Sequence, residues 1–105
     1  MHYLLTYEKV PDYAEREKPF QAAHRAHVFA AVARGEMVLA GPLTGPLDGT
    51  NLLLFKADSD ATVESFAKAD PYVTNGVVHR WHVRPWQTVV GPGAENPLPA
   101  PARRA

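Results

Sequence analysis

At 105 residues, with 46% apolar side chains, the chain is long enough for one domain with a modest core and too short for two. Eleven basic and eleven acidic residues cancel, so no broad positive field exists to gather nucleic acid or an anionic membrane surface. The lack of cysteine removes disulfides, thiolate nucleophiles and thiolate metal sites, and fits a cytoplasmic location. No segment approaches the roughly 20 apolar residues that a membrane span needs, and "MHYLLTYEKV" lacks a basic leader followed by a long apolar run.

Residues 2–7, "HYLLTY", predict a first strand that ends before Pro11 and Asp12. Alternation places Tyr3, Leu5 and Tyr7 on one face and His2, Leu4 and Thr6 on the other. From about Glu17 to Arg34 the apolar pattern is helical, with Phe20, His24, His27, Val28 and Ala31 on one stripe. Pro19 is tolerated in the first turn, and Gly35 is a natural left-handed stop. "EMVLAG" and "TNLLLFKA" read as two strands joined by "GPLTGPLDG", an extended hairpin connection. Ser59 is placed to cap a second helix, Asp60 to about Ala69, with Val63, Phe66 and Ala67 as its apolar stripe. Asp70-Pro71 ends that helix, and residues 76–90 form a last strand that Pro85 interrupts. The domain therefore runs over 1–90. Residues 91–105, rich in Pro and Gly, cannot bury enough surface to offset their ordering entropy and predict a mobile tail.

The order strand, helix, strand, strand, helix, strand predicts an α+β, ferredoxin-like βαββαβ fold with an antiparallel sheet. Helices cover one sheet face in that arrangement. Leu4 beside Leu5, Leu53 beside Leu54, and Trp81 alternating against Val78 put apolar side chains on both faces, so a homodimer packed sheet to sheet is expected.

Two residues stand out chemically. His24 lies on the inward stripe, where an imidazole buried without a partner costs about 1–3 kcal/mol, so a partner must exist. A core histidine bonded to a carbonyl or water meets that need, and Asp70 followed by proline is by itself an ordinary N-cap. The sharper reading pairs the two: a carboxylate on one ring nitrogen fixes the tautomer and raises the basicity of the other, which then serves as general acid or base. Tyr72 adjoins Asp70 and is the best candidate for a pocket wall. His24 and His27 also share the i, i+3 spacing of helical metal ligands, but no third ligand is near in sequence, and neither a metal nor a cofactor is expected. Arg25 and Arg34 read as solvated helix charges, and Arg80, His82 and Arg84 as a charged strand face able to meet an anionic substrate. There is no phosphate-binding glycine loop, nucleophile elbow or zinc-protease helix.

His24, "ARGEMVLAGPL", "ADPYVTNGVV" and "VRPWQTVV" together resemble the YCII-related (YciI-like) domain family over residues 2–90. The resemblance implies a dimeric α+β barrel built from ferredoxin-like units. It places the family's proposed catalytic dyad on His24 and Asp70 and its Asp-Pro-Tyr motif on Asp70, Pro71 and Tyr72. One branch of the family is a dehydrochlorinase of a chlorinated lactone-type intermediate. A second imidazole, His27, beside the dyad leaves open which ring faces the pocket.

The function expected is that of a small cofactor-independent enzyme. Asp70 orients His24, and His24 moves a proton in an elimination, isomerisation or hydrolysis of a small organic molecule. Gly41, Pro42, Tyr72 and His27 border the substrate pocket. The alternative is a noncatalytic small-ligand-binding or oligomerisation module in which the same pair is a structural hydrogen bond. A metal-assisted enzyme is the remaining option.

Overall fold

In the computed structural model, which describes residues 1–101, His2–Lys9 form β1 with Tyr3, Leu5 and Tyr7 buried on one face, as their alternation requires. A short helix α1 (Tyr13–Arg16) and a 3₁₀ turn (Lys18–Phe20) carry the chain into α2 (Gln21–Ala33). The predicted single helix from Glu17 is thus divided. Pro19 sits in the 3₁₀ turn, where its missing N–H leaves no broken ladder.

α2 ends at Gly35, whose φ of 77° is left-handed. The Gly35 N–H donates to the Val32 carbonyl and the Glu36 N–H to the Ala31 carbonyl, the paired bonds of a Schellman cap. A Cβ at Gly35 would meet nothing within 4 Å, so only backbone strain opposes substitution. Gly35→Ala is expected to lower unfolding stability by about 1–2 kcal/mol, measured by urea titration.

β2 (Met37–Pro42) and β3 (Thr50–Lys56) form the predicted hairpin, with a 3₁₀ turn over Gly45–Leu47 in its long connection. α3 (Asp60–Ala69) has the predicted bounds, although the Ser59 side chain makes no capping hydrogen bond. α4 (Pro71–Thr74) follows at once, and β4 (Val78–Trp86) closes the sheet. The strands lie in the order β2-β3-β1-β4, all antiparallel, which is the ferredoxin-like arrangement. Pro85 remains inside β4, an edge strand, where an absent N–H is tolerated.

Tyr3, Leu5, Leu53 and Phe55 of the sheet pack with Ala31 of α2 and with Val63, Phe66 and Ala67 of α3. Each large side chain removed from water there contributes about 1.5–3 kcal/mol before entropy is counted. Trp81 and Val78 do not alternate between faces as strict period-two reading requires. The β1–β4 register shifts between Glu8 and Lys9, so Trp81 opposite Tyr7 and Val78 opposite Lys9 both join the inner side. An extra residue in a bulge reverses parity. Arg80, His82 and Arg84, opposite Glu8, Thr6 and Leu4, lie on the outer face, where Arg80 pairs with Glu8 at 3.1 Å. They stand away from the helices.

That outer face also carries Leu4, Leu52 and Leu54, only partly covered, and the exposed Leu39 and Trp86. Composition alone marks residues 91–105 as a mobile tail, yet the chain turns back on itself after β4. The Asn96 and Leu98 N–H groups donate to the Thr88 and Val89 carbonyls, and Thr88 Oγ1 lies 2.7 Å from His2 Nδ1. The Glu95 N–H also donates to Thr88 Oγ1 at 2.9 Å, so backbone and polar side-chain bonds hold a segment that apolar burial does not. Residues 102–105, the end of the expected tail, lie outside the described residues.

Candidate active site

α2 and the α3–α4 junction meet over the inner face of β1, and the local sequence explains why. Asp70 is the last residue before Pro71, and proline at the first helical position needs an N-cap before it. The Asp70 carboxylate takes that role, accepting the Tyr72 N–H at 2.9 Å. The same carboxylate is fully buried and accepts two more donors, the Tyr7 hydroxyl at 2.8 Å and His24 Nδ1 at 2.8 Å. The N-cap and the histidine partnership, which compete as explanations of Asp70 in the sequence, coexist on its Oδ1, while Oδ2 accepts from Tyr7.

An ionised carboxylate only accepts, so its bond to His24 is donated by Nδ1 and leaves Nε2 as the ring nitrogen that Asp70 does not engage. The His24 ring lies flat on the Tyr72 ring, with centroids 3.8 Å apart and planes 6° from parallel. Its orientation is thus set from the edge by Asp70 and from the face by Tyr72. Burial, and then the charge and hydrogen bond of Asp70, push the Tyr7 hydroxyl well above the usual phenol range, so it remains a donor. Burial first and Glu17 second do the same to Tyr72.

His24 and Tyr72 open onto a cavity of about 270 Å³, bordered across from α2 by Ala40, Gly41 and Pro42 of β2 and by Leu53 of β3. His24, Tyr72, Gly41 and Pro42 are therefore brought together as expected, with Asp70 directly behind the imidazole. His27 is not among them. It turns the other way along α2, donates from Nε2 to the Phe66 carbonyl at 2.8 Å and stacks on the Phe66 ring. Three residues along α2 turn His27 about 60° from His24 around the helix axis, off the cavity face, and the Phe66 carbonyl in the last turn of α3 satisfies the ring there. The two imidazoles diverge and do not converge on a common ion.

Three participants have no signal in the sequence beyond their type. Tyr7 sits at an inward strand position whose hydroxyl needs a buried partner, the one available clue. Lys9 and Glu17 line the cavity as an ion pair at 3.1 Å, and the other Glu17 oxygen accepts from the Tyr72 hydroxyl at 3.1 Å and from Gln21 at 3.2 Å. Burial raises the Glu17 carboxyl, but the Gln21, Lys9 and Tyr72 contacts outweigh it and hold the group below its usual 4.5. A folded value below the unfolded one means stability that is complete above about pH 4.5 and lost as acid titrates the folded carboxylate. The advantage of the native chain over Glu17→Gln in thermal midpoint is expected to shrink on acidification below that point. Melting curves from neutral pH into the acid range measure it.

With this geometry in place, the comparisons with known proteins are decisive for the family. The model of the YCII-related domain matches residues 1–87. The chain belongs to that family. No curated protein matches it. Among solved structures, this YCII-related chain is similar to the 5-chloro-2-hydroxyhydroquinone dehydrochlorinase TftG from Burkholderia phenoliruptrix AC1100 in complex with 2,5-dihydroxybenzoquinone, with a TM-score of 0.72 and 23% identity, covering 84% of this chain and 95% of that one. The likeness is one of fold. The compound in that enzyme's name is a chlorinated hydroquinone, where the sequence resemblance suggests a chlorinated lactone.

Proposed function

We propose that this YCII-related protein is a small cofactor-independent enzyme whose His24, held by Asp70, transfers a proton in an elimination, isomerisation or hydrolysis of a small organic molecule. The observation that carries the proposal is the bond between His24 Nδ1 and the buried Asp70 carboxylate, with the same ring bordering an open cavity. In an elimination, Nε2 takes a proton from substrate carbon or oxygen, the electron pair forms the new π bond, and the leaving group departs with its own pair. Asp70 stabilises the imidazolium until water removes the proton. An isomerisation returns the same proton elsewhere, and a hydrolysis takes it from water.

The dehydrochlorinase neighbour favours elimination of halide from a hydroxylated ring as the first reaction to assay. Chloride release from 5-chloro-2-hydroxyhydroquinone and from halogenated lactones, by native protein and by His24→Asn, tests it. Turnover that the substitution leaves intact refutes the dyad. A chain that binds such compounds without converting any ring or lactone substrate is a noncatalytic module. The apolar outer sheet face supports a homodimer, read out by light scattering, and the cysteine-free composition supports a cytoplasmic site of action.

A further inference from the structure

Core packing alone does not call for the Tyr7 hydroxyl. Tyr7 is fully buried on the inner face of β1 in the same cluster as Leu5 and Phe55, and a phenylalanine ring would fill that place without the cost of taking a hydroxyl out of water. Its one side-chain hydrogen bond among the described residues is donated to Asp70 Oδ2, at 2.8 Å. In the sheet Tyr7 lies between Asn51 of β3 and Trp81 of β4, so the hydroxyl is offered from a strand paired on both sides. Rigid strands hold such groups more exactly than loops do.

The two Asp70 oxygens are used differently. Oδ1 accepts the Tyr72 N–H at 2.9 Å and His24 Nδ1 at 2.8 Å, while Oδ2 accepts the Tyr7 hydroxyl and stands 3.1 Å from the same Nδ1. The His24 N–H is therefore shared between both oxygens. Tyr7 is the only other side chain that bonds to either of them among the described residues. A hydrogen bond donated to a carboxylate stabilises its charge and weakens its pull on a neighbouring proton.

That pull governs His24, because the other charged groups nearby are spent or screened. Lys9 of β1 and Glu17 ahead of α2 pair with each other at 3.1 Å, and Arg25 on α2 is exposed to solvent. Tyr72, raised by burial and Glu17, stays uncharged. Burial and the Asp70 charge act likewise on Tyr7, which remains a donor. A buried carboxylate without that donor would favour the imidazolium strongly, whereas a general acid or base has to take and release its proton near the working pH.

We infer that Tyr7 is a positioning residue of the pair: its hydroxyl holds the Asp70 carboxylate by Oδ2 and tempers its charge, so that Asp70 orients His24 without locking it in the protonated form. The inference rests on the reading of His24 and Asp70 proposed above, and adds the residue that tunes them.

NMR titration of the imidazoles in the full chain tests it, with the His24 signal identified by its loss in His24→Asn. Tyr7→Phe is expected to move the midpoint of His24 protonation upward by about one pH unit, the size of one hydrogen bond to a charged group. A ring-fluorinated tyrosine at the same position, a more acidic phenol and a stronger donor, should move it downward, and the pH profile of chloride release should follow in both proteins. A merely structural hydroxyl does not produce opposite shifts. Midpoints unchanged in both variants, or moved in the same direction, would overturn the assignment. If Tyr7→Phe does not fold, the fluorinated protein decides alone, by whether its midpoint falls. His24→Asn keeps the two readings apart. Turnover that depends on His24 while neither midpoint moves removes Tyr7 and leaves the proton transfer. Opposite shifts with turnover intact in His24→Asn keep the hold of Tyr7 on the pair and remove the proton transfer.

Discussion

Asp70→Ala is expected to lower unfolding stability by about 3–5 kcal/mol, because three donors lose their acceptor at once and a hydrogen bond to a charged group contributes about 1.5–3 kcal/mol. The carboxylate has no exposed surface, and three donors from separate parts of the chain end on it: Tyr7 of β1, His24 of α2 and the Tyr72 N–H of α4. Alanine leaves the Tyr7 hydroxyl and the Tyr72 N–H facing a small void, removes the α4 cap, worth about 1 kcal/mol by itself, and frees the imidazole to rotate. For a domain of this size the thermal midpoint should fall by roughly 10 °C or more. Asp70→Asn keeps the volume and one acceptor oxygen but puts an NH₂ where two donors now arrive, so it should fall between alanine and the native residue. Urea titrations of the three proteins check the order. A midpoint within a degree or two of native for Asp70→Ala would mean that this junction does not hold the helices to the sheet.

The second large effect is on chemistry. His24→Asn should reduce turnover by about 10²–10⁴-fold, the usual contribution of a positioned acid or base. Asparagine retains an N–H able to reach the Asp70 carboxylate, so the fold should change little while the titrating nitrogen disappears. Asp70→Asn, which misdirects the imidazole without removing it, should also cut turnover, with an altered pH profile as the mark of a positioning residue. Steady-state rates across pH for the two variants, at temperatures below both midpoints, separate chemistry from stability. Equal rates in native and His24→Asn protein would place the proton transfer elsewhere, with Lys9 and Glu17 the next groups in the cavity.

Local features were legible wherever one element suffices to explain them. The helix of Asp60–Ala69, the stop at Gly35, the inward parity of Tyr3, Leu5 and Tyr7, and the turn that Pro71 imposes after Asp70 all follow from periodicity and backbone chemistry. The fate of Trp81 and Val78 was not legible, because a bulge one residue long reverses every later side chain and leaves no mark in composition. His27 shows the same limit. Two histidines three residues apart share a stripe to within the width of a helical face, and only the neighbouring end of α3, offering the Phe66 carbonyl, separates their roles.

The amino-acid order by itself determined the sequence of elements, the inward position of His24 and the capping geometry of Asp70, since each depends on interactions within about one turn of helix or one strand. Only the tertiary structure decided that Asp70 also holds His24 and Tyr7, that Lys9 and Glu17 neutralise each other, and that the buried Asn51 Oδ1 meets no hydrogen-bond partner among the described residues. Those facts join residues as many as 63 positions apart, as in the Tyr7–Asp70 bond, and so depend on strand register and helix placement, which no local pattern encodes.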